Sequence, residues 1–210
     1  MKKLFKPLTE SEVNEINQAI ALAEKSTSAE ICPFLTRQVG SDNTIYIKYF
    51  HFFLLGFFFS LILALLYKLS APILTLDYTL DILHLVILLT LSLFTDRMVK
   101  RKISNLVNVE AELEFEHQGI GETLFSNGVF LYISLLDKRV VVLADTQIKE
   151  QTTDETWVKI IEDFQTNIKS SSLKKAIIVA VEEIGLVCSK ICPKITNDVN
   201  EIKNQITIKG

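Results

Sequence analysis

Three carboxylates fall where a folded chain could use them: Glu30 at the start of an apolar run, Glu122 after two glycines and Asp145 at the close of another apolar run. Oxygen donors of this kind suit calcium or a catalytic carboxylate, provided the fold gathers them near strand ends. Their spacing does not demand it, and solvated loop acids are the plainer reading. Cys188 and Cys192 lie four residues apart, on one face of a helix, and would supply two zinc ligands if His117 and Cys32 came close. Small buried hydrophobes are the plainer reading there. Gly119-Ile120-Gly121 lacks the third glycine and the strand-to-helix setting of a dinucleotide loop, so it reads as a helix end followed by a turn. No serine stands in a nucleophile elbow with histidine and aspartate partners. The residues therefore assign no catalytic group and require no cofactor, calcium being the one ion the three acids would admit.

Composition narrows the function classes further. The net charge is −3, without the strongly basic balance of a nucleic-acid binder. Mean hydropathy is +0.30, and much of the excess sits between Phe50 and Phe94. The run from Phe50 to Tyr67 carries no charge, and a second run from Ile82 to Phe94 has only His84 as an ionisable group. About 20 apolar residues cross a bilayer, so these runs predict a transmembrane hairpin whose second span must recruit flanking residues. Asp77, Asp81 and His84 would share a helical face, which fits two interfacial carboxylates and a histidine packed on a partner helix. Arg97, Lys100, Arg101 and Lys102 follow the second run, whereas the connecting loop offers only Lys68. That bias predicts a membrane interface at the basic cluster, with the polar parts facing the cytoplasm from an inner or plasma membrane. Three cysteines agree with this side, since an extracytoplasmic domain more often uses a paired set. Met1-Lys2-Lys3 leads into a polar helical pattern, so a cleaved signal is not expected.

The elements that must position these groups follow from local patterns. Thr9 and Glu12 form a capping box, and Val13, Ile16, Ile20 and Ala23 keep helical phase, which predicts a helix from about Glu10 to Lys25. Ala29 to Thr36 reads as a strand, with Pro33 arguing for an edge position or a bulge. A helix from the basic cluster to about His117 continues the second apolar run. Val129 to Leu136 and Arg139 to Ala144 are rich in β-formers, and the two residues between them allow only an antiparallel hairpin. Thr152 and Glu155 predict a further capping box. Ser172 to Ile191 holds helical phase over a length that strands do not reach. Residues after Thr196 read as a frayed tail.

The division is thus 1–44 as one part of an α/β domain, 45–95 as the hairpin, 96–192 as the other part and 193–210 as a tail. Neither part can bury its apolar face alone, so the two must dock into one α/β domain.

With this order of elements the chain resembles the TPM domain family, of the thylakoid-lumen and photosystem II repair type. The resemblance is carried by LTESEVNEINQAIALAEKSTSAEI, by GIGETLFSNGVFLYISLLDKRVVVLAD and by the TTDETW helix start. It implies a small mixed sheet flanked by helices. It also implies one of two activities: an assembly or modulatory factor acting on another membrane protein, or a membrane-bound phosphoester hydrolase of acid-phosphatase type, working with or without a divalent metal. The anchor placed inside the domain, and the absence of nucleophile, metal or phosphate signatures, favour the interaction factor, with the lipid bilayer and a second membrane protein as its partners.

Overall fold

The computed structural model describes residues 8–39, 50, 53–62, 65 and 77–209. Helix α1 runs Glu10–Ala23 and begins as its sequence requires. The Thr9 amide donates to Glu12 Oε2 at 2.9 Å and the Glu12 amide to Thr9 Oγ1 at 3.3 Å, so two donors of the first turn are satisfied reciprocally. Ile16 and Ile20 then turn fully into the core.

Strands β1 (Glu30–Thr36), β2 (Gly128–Ser134), β3 (Arg139–Ala144) and β4 (Thr207–Lys209) form one sheet in the order β3-β2-β1-β4. β1 and β2 pair in parallel over their full length, β2 and β3 form the expected antiparallel hairpin, and β4 lies parallel to β1. The parts before and after the long apolar region therefore share one sheet. Two expectations are corrected here. β1 is a central strand despite Pro33, because β4 pairs only with Phe34, Leu35 and Thr36. The stretch through Pro33 has no ladder on that side, and a residue without an N–H fits there. The tail is not frayed either, since it ends in β4 with Ile206 buried. Lys209 Nζ holds Glu114 Oε1 at 2.5 Å and Glu110 Oε1 at 3.2 Å, which ties the strand to the helix beside it.

Alternation along the strands divides the side chains between two faces. One face presents Ile31, Leu35, Val129, Leu131 and Ile133 to Ile16 and Ile20 of α1 and to two later helices. Those are α4 (Asp154–Ser170), which contributes Ile160 and Phe164, and α5 (Leu173–Ile191), which contributes Ala176, Ile177, Ala180, Val181 and Ile184. The helical reading of AIIVAV is explained by this stripe. α5 approaches α1 closely because Gly185 lacks a Cβ, which would stand 2.8 Å from Ala23 Cβ. The other face carries Phe34, Phe130 and Tyr132, with Phe34 stacked on Tyr132 at 5.4 Å. Phe115 closes edge-on against Phe130 at 6.1 Å. Helix α4 starts one residue later than its sequence suggests: Thr153 is the N-cap, with no side-chain cap bond, and the Thr152 hydroxyl is drawn instead to Ile148 O at 2.8 Å. That carbonyl closes a one-turn helix, α3 (Thr146–Lys149).

Helix α2 runs unbroken from Asp77 to His117, as the continuation of apolar run into basic cluster predicts. The chain divides into two units, residues 1–39 with 106–210 and residues 40–105, and the division falls inside α2. Among the described residues no helix is long and apolar enough to cross a membrane, which corrects the expectation of a transmembrane hairpin as far as the described residues go. The reason is visible in α2. Its uncharged stretch, residues 82–95, is 14 residues long, about 21 Å against a hydrocarbon core of about 30 Å. The run from Phe50 to Tyr67 and the loop with Lys68 lie in part outside the described residues, as do the side chains of Asp77, Asp81 and His84.

Candidate functional site

Two of the three acids singled out by sequence, Glu30 and Asp145, meet through their backbones at the start of β2, and the turn that carries Glu122 packs there through Ile120. Gly128 pairs in register with Glu30, and its carbonyl accepts the Asp145 amide at 2.9 Å. The 3-10 turn Ile120–Glu122 presses on the same residue: a Cβ on Gly128 would stand 2.4 Å from Ile120 Cγ2 and 2.6 Å from Ile120 O. Gly119, at φ 68°, ends α2 and sets this turn, as its position after the helix predicts. The side chains then take different work. Glu30 is buried and accepts the Glu201 amide at 3.1 Å and the Ile202 amide at 3.2 Å. Asp145 caps α3 through the Thr146 amide at 2.6 Å and leaves Oδ2 buried without a partner. Glu122 is exposed.

Among the described residues no group of three or more histidine, cysteine or acidic side chains is arranged to hold a metal. Cys188 and Cys192 do face each other along α5, and both are buried. Cys192 Sγ donates to Cys188 O and also meets Thr27 Oγ1, each at 3.4 Å. His117 is exposed at the end of α2, and Cys32 is a free thiol on β1. The basic cluster Arg97, Lys100, Arg101 and Lys102 lies exposed on α2.

Sequence reasoning passed over Glu24, the most perturbed carboxyl of the site. It closes α1 and is 6 % exposed. Oε1 accepts the Ile31 amide at 2.8 Å, while Oε2 is buried without a partner. Burial pushes its pKa up to about 8, against the pull of the Ile31 N–H, and the charge on Glu30 adds to the rise. At neutral pH Glu24 is therefore mainly a neutral acid beside the amide-bound Glu30, whose own pKa is raised by burial and held back by its two N–H donors. The same burial and the same two carboxyls push the Cys32 thiol well up. A signal for Glu24 existed, because Ile16, Ile20 and Glu24 follow one another at four-residue spacing and so share the buried stripe.

The chemistry open to this arrangement is proton storage and clamping. Glu30 ties the tail to β1 through two amides, and Glu24 ties the end of α1 to β1 through one. A cleft of about 240 Å³ lies between Cys32, Phe130 and the tail residues Ile202 and Thr207, and neither carboxyl lines it. Both carboxyls are closed off from solvent, so neither is placed to meet a substrate.

The unit 40–105 has a different surface. Residues 53–62 are helical, and Leu55, Phe58, Phe59, Leu61, Ile62 and Leu65 are all exposed. Val86, Leu93, Phe94 and Met98 add exposed apolar side chains on α2.

Comparison with known proteins agrees with this architecture. No curated protein matches the chain. A solved structure of similar fold is the NMR structure of the BA42 protein from the psychrophilic bacterium Bizionia argentinensis, with a TM-score of 0.63 and 20 % identity, covering 100 % of both chains. At that identity the likeness shows the fold alone. Residues 85–187, which hold most of α2, the β2–β3 hairpin, α4 and most of α5, match the TPM domain family.

Proposed function

We propose that this protein is a membrane-associated TPM-type factor that assembles with or modulates another membrane protein, its α/β unit serving for interaction. One observation carries the reading: the apolar side chains left in contact with water on residues 53–62 and 65. Phe58 and Phe59 are neighbours, as are Leu61 and Ile62, and successive residues on a helix point about 100° apart. Leu55, Phe58, Phe59, Leu61 and Ile62 thus share one broad face of about 160°, and an exposed apolar face of that width is stable only against lipid or against another protein. The exposed Arg97, Lys100, Arg101 and Lys102 fit the headgroup level of an anionic leaflet facing the cytoplasm. A phosphoester hydrolase has less support, because of its three candidate acids Glu30 is closed to solvent and Asp145 caps α3, which leaves Glu122 as the one exposed carboxyl. Flotation of the purified chain with vesicles of mixed neutral and anionic phospholipid tests the reading. The protein is expected to float, and a Phe58→Asn, Phe59→Asn, Ile62→Asn variant to remain at the bottom of the gradient. Wild-type protein that stays unbound, or a variant that floats equally well, overturns it.

A further inference from the structure

We infer that a second cleft, between the β2–β3 turn and α4, binds a single-chain carboxylate amphiphile of the fatty-acid class. The cleft holds about 450 Å³, within the usual range for small-ligand sites. Its base is apolar, since Ile133 and Phe164 are buried and the half-buried Val140 and Ile168 continue the wall. Its rim is cationic: Lys138 and Lys169 are exposed, and Arg139 lines the same cleft. No acidic side chain among the described residues lines it. Asp137, next in the chain, is engaged elsewhere, accepting the Ser134 hydroxyl at 2.6 Å and the Val39 amide at 2.8 Å.

A neutral hydrocarbon would meet the walls and offer nothing to Lys138 and Lys169 at the rim. Inorganic phosphate would do the reverse. One anionic head on one chain satisfies both surfaces at once, and the cleft is too small for a folded partner. The backbone supplies a second observation. Lys138 has φ 53°, the left-handed region in which glycine or asparagine is at ease and lysine is strained. A lysine held there points to a use for its side chain, and the rim of this cleft is where it stands.

The test titrates the full chain calorimetrically with decanoate, decanol and decyltrimethylammonium below their micelle concentrations, and maps a diazirine-bearing decanoate by mass spectrometry. Decanoate is expected to bind at one site per chain at least tenfold more tightly than the other two, with the label on residues 133–140 and 164–169. The Lys138→Asn, Lys169→Gln variant is expected to bind decanoate no better than decanol. Asn adopts the left-handed backbone and position 169 is exposed, so folding is retained and is checked by thermal melting. Absence of binding, equal binding of the three ligands, a label confined to residues 53–62, or a variant that keeps the preference overturns the inference. Flotation with vesicles does not bear on this result, so the two readings fail separately.

Discussion

Replacing Glu24 by Gln preserves the side chain's shape and its acceptor for the Ile31 amide, and removes only its ability to ionise. The wild-type carboxyl is carried from its ordinary 4.5 to about 8 by burial. At 1.36 kcal/mol per tenfold, the ionised form costs the fold on the order of 5 kcal/mol. The sign follows from proton counting. Between those two values the unfolded chain has released the proton and the folded chain still binds it, so stability falls as pH rises. The loss begins near the unfolded value and is complete once pH passes the folded one. Urea denaturation from about pH 5 to about pH 9 measures it. The variant and the wild type are expected to be nearly equal at the acid end. Wild-type stability should then drop relative to the variant by several kcal/mol, levelling above the folded pKa. Glu183, which burial also raises, is common to both proteins and cancels in the difference, whereas Glu30 is coupled to Glu24 by charge and its titration is part of what the comparison reads. Two profiles that stay parallel across the range would refute the reasoning, since they would mean that the end of α1 does not exclude water from this carboxyl.

Two further outcomes test the same region. Glu30→Ala removes the acceptor of the Glu201 and Ile202 amides, which should cost about 1.5–3 kcal/mol and speed hydrogen exchange at those two amides and at Ile206. Unchanged exchange there would show that the tail is held by β4 and by its contacts with Asn17 and Leu124 without help from Glu30. Gly128→Ala forces a methyl against Ile120, including its carbonyl oxygen, so thermal unfolding should report a loss of about 1–3 kcal/mol or more. A neutral substitution would mean that the 3-10 turn yields freely.

Much of the fold was legible because its causes are local. The capping box at Thr9 and Glu12 involves atoms three residues apart, and the β2–β3 hairpin follows from a connection too short for any other pairing. The phase of α5 is likewise carried within 19 residues. Elsewhere local reading failed where a distant partner decided the matter. β4 is three residues long and would not be a strand without β1, which precedes it by about 170 residues in the chain. Pro33 argued for an edge strand, and only the short reach of β4 makes a central place tolerable.

The site divides in the same way. Its acids could be singled out from their types and positions, but their convergence on Gly128 joins residues about 100 positions apart, and Glu24 gained its character only when β1 and the tail closed over it. By itself the sequence determined the helices, the hairpin and the apolar character of residues 50–94, because hydrogen bonding and side-chain phase over a few turns are set by neighbouring residues. Only the tertiary structure decided which carboxyl stays neutral, which strand is central and where a cationic rim meets an apolar wall, because burial and pairing depend on surfaces that the chain brings together from far apart.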